Sequence, residues 1–237
     1  MKLLAFDTST ELLSVALQPG AGAPVRLHEG PGGAQASAGL IPAIEHLLAE
    51  AGLALAQLDA IAFGRGPGSF TGLRTAAAVA QGLGFGSGVP VLALDTLLAI
   101  AEDAHGRCGA GRVLAVLDAR MGEVYSAAYE RQGGIWRTVR GPQLGRPEDL
   151  PLEPGWTLAG NALALVQQWD GPRVEAVPSA AALLRLAPAA LAADPAPAAA
   201  QALPLYIRDK VAQTTEERAA ERARKEMARG EPAGRPR

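Results

Sequence analysis

Three stretches of the chain hold residue types that can handle an anion. Asp7 is followed by Thr8, Ser9 and Thr10. A carboxylate beside three hydroxyls can hold a metal-bound water near a phosphate, with the hydroxyls donating to phosphate oxygens. The same residues can equally do no more than satisfy the amides of a turn. The second stretch, Gly64 to Arg74, reads Gly-Arg-Gly-Pro-Gly-Ser-Phe-Thr-Gly-Leu-Arg. Its glycines permit positive φ, and Ser69 and Thr71 suit a helix N-cap, so free N–H groups and a helix dipole could converge on an anion. An ordinary strand-to-helix turn is the alternative, as is a tight helix start that lets a small-residue helix pack on a partner. The third stretch ends in Asp118, at the close of the apolar run Val113 to Leu117. The candidates for phosphate or nucleotide binding are therefore Asp7, Thr8, Ser9, Thr10, Gly66, Gly68, Ser69 and Asp118.

Other chemistry is missing from the sequence. The three histidines, His28, His46 and His105, have no metal-ligand spacing. Cys108 is the single cysteine, so no internal disulfide can form and a catalytic thiol has no support. Neither a P-loop nor a G-x-S-x-G elbow is present.

The elements that position these residues follow from periodicity. Lys2 to Asp7 and Leu12 to Leu17 read as the two strands of a hairpin. Pro24 to His28 reads as a third strand. Leu40, Ile41, Ile44, Leu47, Leu48 and Ala51 recur at helical spacing, and Pro42 places the helix start near Ala38 to Leu40. Asp59 to Phe63 is a buried strand entering the glycine-rich stretch. A helix follows from about Thr71 to Leu83, rich in Ala and Gly. Val89 to Leu94 and a helix through Ala104 come next. Val113 to Asp118 with Glu123 to Tyr129 repeats the opening hairpin, an internal repeat that predicts two related α/β lobes. Ile135 to Val139, Thr157 to Ala159 and Arg173 to Ala176 read as strands. Helices are expected from Gly160-Asn161 to Gln168 and from Ala180 to about Leu186, limited by Pro188. The expected boundaries are an N-terminal lobe at 1–105, a C-terminal lobe at 106–210 and a charged helical tail at 211–237.

The chain has 237 residues and a net charge of −2, which gives no global attraction to nucleic acid. No apolar run reaches membrane-spanning length without Gly, Pro or charge, so a cytoplasmic protein without a membrane partner is expected.

Four blocks together resemble one family. They are Ala5-Phe6-Asp7-Thr8-Ser9-Thr10, Gly64 to Arg74, Leu117-Asp118-Ala119-Arg120-Met121-Gly122-Glu123-Val124-Tyr125, and Pro204-Leu205-Tyr206-Ile207-Arg208. Their order and spacing are similar to those of the TsaB (YeaZ) family, the accessory subunit of the bacterial machinery that makes threonylcarbamoyladenosine in tRNA. The resemblance implies an α/β fold of the actin-like, sugar-kinase-like, ribonuclease-H-like class with two related lobes. It implies a non-catalytic scaffold that supports a TsaD-like catalytic subunit, which modifies N6 of adenosine 37. A TsaE-like ATPase is a further implied partner, tRNA is reached indirectly through the complex, and the chain alone would form a homodimer. No cofactor is expected for this chain itself, with ATP or ADP and Mg in the complex. Where family members often carry a His-Ser pair, this chain has Ala36-Ser37. The candidate partner interface comprises Leu40, Ile44, Leu47, Arg65, Phe70, Leu73, Arg74, Ala77, Ala80 and Gly84. An ATP-dependent small-molecule phosphotransferase of the same superfamily is the alternative, which would hold phosphates with Asp7 and the glycine-rich stretch.

Overall fold

The computed structural model describes residues 1–151, 153–194 and 198–208. The expected tail at 211–237 lies outside them. Met1–Ile207 forms one compact unit, built around two five-stranded mixed sheets.

The first sheet holds β1 (Leu3–Asp7), β2 (Leu12–Gln18), β3 (Arg26–Pro31), β4 (Ala60–Gly66) and β5 (Val91–Asp95), in the order β3-β2-β1-β4-β5. β1, β2 and β3 form an antiparallel meander, while β4 and β5 run parallel to β1. The second sheet holds β6 (Arg112–Arg120), β7 (Glu123–Gln132), β8 (Ile135–Gly145), β9 (Thr157–Gly160) and β10 (Arg173–Glu175), in the order β10-β9-β6-β7-β8. Its first three strands are again an antiparallel meander, and β9 and β10 again run parallel to the first. The repeat seen in the two hairpins therefore extends through all five strands of each sheet. Asp7 and Asp118 occupy corresponding places, at or near the end of the first strand of each.

Four α-helices are present among the described residues: α1 (Ala36–Ala51), α2 (Phe70–Ser87), α3 (Thr96–Cys108) and α4 (Ala180–Ala193). Helices α1 and α2 cover one face of the first sheet, with Leu4, Phe6, Val15 and Phe63 meeting Leu40, Ile44, Leu47 and Ala76. Helix α4 covers the other face of that sheet, against Leu3, Ala5, Ala62 and Leu94. Helix α3 packs on the second sheet through Leu97, Ile100 and Ala104. Burial on both faces explains why β1 and β4 read as continuous apolar runs.

Several elements differ from their expected bounds. α1 starts at Ala36, and Pro42 lies inside it. α4 runs through Pro188 to Ala193. Both prolines are themselves exposed, so each ring lies outside the packed face of its helix and the helix continues through it. The expected helix at 160–168 is reduced to a single 3-10 turn, Leu163–Leu165. α2 continues past Leu83 to Ser87 and ends on Gly88, whose φ of 74° makes a left-handed cap. β4 extends into the glycine-rich stretch, to Gly66.

Candidate functional site

The turn after β1 and the turn after β4 are locked together by the glycines of the second stretch. Ser69 N–H donates to the Ser9 carbonyl at 2.7 Å. The Thr8 hydroxyl donates to the Gly72 carbonyl at 2.7 Å. A Cβ on Gly68 would meet the Ser9 carbonyl at 2.5 Å, and one on Gly72 would overlap the Thr8 carbonyl. A Cβ on Gly64 would overlap the Asp7 carboxylate. Close approach, not left-handed backbone, is what these three positions require. Only Gly66 in the stretch has a positive φ, 120°, and there a Cβ would also press on the Leu205 carbonyl at 2.8 Å. Ser69 caps α2, its hydroxyl accepting from Gly72 N–H.

Asp7 is fully buried beneath this junction. Its Oδ1 accepts from Ser9 N–H at 2.8 Å and from the Ser9 hydroxyl at 2.6 Å, and its Oδ2 faces the Thr96 hydroxyl at 3.5 Å. Burial pushes its carboxyl above the ordinary carboxylate range, against the opposing pull of the Ser9 and Thr96 hydrogen bonds. The folded chain therefore holds this proton more tightly than the unfolded chain. Stability falls as pH rises from about 4, the ordinary Asp value, through the raised value. Asp7→Asn keeps the shape and the Ser9 bonds without that pH dependence. Urea melts from pH 4 to 8 are expected to diverge as pH rises, with the variant the more stable at pH 7.

A cleft of about 360 Å³ opens beside the junction. Ser9, Thr10 and Glu11 line one wall with Gly68 and Ser69; Asp118, Arg120 and Asn161 line the other. The walls are corresponding turns of the two repeats. Asp118 N–H donates to Asn161 Oδ1 at 2.9 Å, the reverse direction to the first repeat, where Ser69 after β4 donates to the Ser9 carbonyl after β1. Arg120 spans the mouth to Glu11 at 3.0 Å and lies 3.7 Å from Asp118. Arg120 and Met121 hold left-handed backbone at φ of 64° and 58°, at a cost of roughly 1 kcal/mol each, and Asp118 Oδ1 supports the turn by accepting from Arg120 N–H at 2.7 Å.

Of the eight candidate phosphate-binding residues, the cleft brings together Ser9, Thr10, Gly68, Ser69 and Asp118. Asp7, Thr8 and Gly66 lie behind the wall and shape it. Glu11, Arg120 and Asn161 are lining residues that the sequence reading missed; their places in the repeated turns were the available signal. Glu11 and Asp118 set two carboxylates against the one arginine of the cleft, Arg120, which both engage. No group of three or more His, Cys, Asp or Glu able to hold a metal occurs among the described residues.

The ten candidate interface residues divide sharply. Leu40, Ile44, Leu47, Leu73, Ala77, Ala80 and Gly84 are buried in the chain's own core. A Cβ on Gly84 would meet Val91 at 2.5 Å. These seven pack in the chain's own core and do not form exposed contact surface, which corrects the expectation for them. Arg65 pairs with Asp95 at 2.6 Å. Phe70 and Arg74 are exposed: the Arg74 guanidinium lies 3.8 Å over the Phe70 ring and its Nε donates to the Tyr206 hydroxyl at 3.1 Å. Leu205 N–H donates to the Arg65 carbonyl at 2.7 Å. The sequence blocks around residues 7, 65 and 205 thus meet directly, and the block around 118 meets the first through Arg120.

These features define a two-sheet α/β protein with a duplicated strand plan and its conspicuous turns gathered at one junction. The family model described as TsaD, tRNA N6-adenosine threonylcarbamoyltransferase, matches residues 28–228. The tRNA threonylcarbamoyladenosine biosynthesis protein TsaB of Escherichia coli (strain K12) is 34% identical over 90% of this chain and 96% of its own. TsaB of Haemophilus influenzae is 36% identical over 89% and 95%. The solved structure of YeaZ from Pseudomonas aeruginosa superposes with a TM-score of 0.79 at 42% identity, covering 86% of this chain and 99% of that one. The chain belongs to the TsaB (YeaZ) family and shares the two-sheet α/β fold of the solved YeaZ structure, and its role lies in threonylcarbamoyladenosine biosynthesis. Among the described residues no helix is long and apolar enough to cross a membrane.

Proposed function

We propose that this chain is a non-catalytic scaffold that pairs, through α1 and α2, with a TsaD-like catalytic subunit in cytoplasmic tRNA threonylcarbamoylation, with a TsaE-like ATPase as a further partner and a homodimer as its form alone. The observation that carries the reading is the outward surface of these two helices. Ile41 on α1 and Phe70 and Phe85 on α2 are exposed, Phe85 to 68%. Gly82 and Gly86 on the same helix have open space where a side chain would stand. Exposed large apolar groups beside small residues suit the close approach of another helix pair. Nucleotide and Mg in the assembly belong to the partners in this reading.

Co-purification with a TsaD-like subunit, followed by a tRNA modification assay with and without this chain, tests the proposal. Ala78→Glu combined with Phe85→Glu, both at exposed positions, should abolish pairing and leave the melting transition in place. A charge at Ala77 or Ala80 would report on folding instead, because both are buried. Pairing that survives the exposed double substitution would overturn the interface.

A further inference from the structure

The sixteen residues from Arg131 to Arg146 contain four arginines, at 131, 137, 140 and 146, and no acidic residue. The whole chain is at −2, so the remainder carries −6. This concentrated positive charge lies on the end of β7, on β8 and just past it, and β8 is the outer edge of the second sheet. Register places Arg137 opposite Glu130 and Arg140 opposite Ala128, so both arginines share one face. Glu130 is also held by Arg112 at 2.7 Å. Arg140 and Arg146 have no ion-pair partner among the described residues, and Arg137, Arg140 and Arg146 are all exposed.

Edge strands commonly carry charge to discourage pairing with another sheet. That accounts for a charge, not for one sign. Of the other outer strands, β3 carries Arg26 and Glu29, with Arg26 paired to Glu50, β10 carries Arg173 and Glu175, and β5 carries Asp95 alone, paired with Arg65. β8 alone offers a run of arginines without acids over eleven residues, roughly 35 Å of extended chain. A guanidinium without a carboxylate partner is the side chain best suited to phosphate.

We infer that the β7–β8 hairpin is a docking strip for the phosphodiester backbone of RNA, so that the chain touches tRNA directly. The choice of RNA over another polyanion rests on the role in tRNA modification; the strip reads phosphates and carries no base-specific element. Its charge is local, which is why it is compatible with a net negative chain.

The test is fluorescence anisotropy of the full chain with a labelled tRNA transcript across a salt series. Arg137→Gln/Arg140→Gln/Arg146→Gln should weaken binding roughly tenfold or more near 50 mM salt and lower the log–log salt slope by about 2 to 3. The Glu triple variant should weaken it further. Lys2→Gln with Arg107→Gln, removing charge elsewhere, should change binding less than Arg137→Gln with Arg140→Gln. Absence of RNA binding by the unaltered chain, or equal losses in hairpin and control variants, overturns the inference. Co-purification with the catalytic subunit separates the two readings. A chain that pairs and supports modification while its hairpin variants bind tRNA normally defeats the strip alone. A chain that binds RNA through the arginines without pairing defeats the scaffold role alone.

Discussion

A Gly72→Ala chain loses about 3 kcal/mol of stability. The added Cβ would overlap the carbonyl of Thr8. That obstacle is backbone at the end of a central strand, so it cannot turn aside as a side chain could. Helix α2 would have to move, and the Thr8 hydroxyl bond to Gly72 and the Ser69–Ser9 bond, both 2.7 Å, would be lost with it. The core behind the helix is closely packed around Ala76 and Ala80, and a shift there leaves voids or collisions. Gly82 is the matched control. It lies on the same helix with nothing near its missing side chain, so Gly82→Ala should raise stability by roughly 0.5–1 kcal/mol. Urea titration of both variants checks the pair. A loss at Gly72 no larger than the gain at Gly82 would show that the turns are not interlocked as described.

The same glycines show what could and could not be read from the chain. The duplicated hairpins were legible because Asp7 and Asp118 end similar apolar runs, and the duplication proved to include the parallel strands as well. Ser69 as the cap of α2 was legible from its place before the helix. The purpose of the glycines was not, since close approach to residues some sixty positions away leaves no local trace. Helix faces were misread for a related reason. On α2 small residues point both inward, as Ala76, Ala77, Ala80 and Gly84 do, and outward, as Ala78, Gly82 and Gly86 do, so small size alone could not distinguish core from surface. Pro42 and Pro188 read as boundaries in the sequence, which shows the missing N–H but not that each ring lies outside the packed face of its helix. Arg120 and Glu11 escaped notice because each is ordinary in its own turn and becomes informative only when the two sheets bring the turns together.

Arg185→Leu should cost about 2 kcal/mol, and the reason lies in its partner. Glu102 of α3 is buried, with one carboxylate oxygen accepting from Arg185 Nε of α4 at 2.7 Å and the other from Trp136 Nε1 of β8 at 2.8 Å. One side chain thus ties the helix on the first sheet to the helix and edge strand of the second. Removing Arg185 leaves a buried carboxylate with only the indole donor, which costs more than the pair itself contributes. The figure is set below the full value for a buried pair because Arg185 is 44% exposed and a cavity of about 360 Å³ opens beside Glu102, where water can reach it. Glu102→Leu on its own should be milder, because the arginine left behind can turn to solvent. Combining the two should recover part of the Arg185→Leu loss, giving a favourable coupling in a double-mutant cycle measured by urea denaturation. Strict additivity would mean that the carboxylate is solvated in the folded chain, and the junction between the two sheets would then rest on packing of Leu98 and Trp136 against both cores.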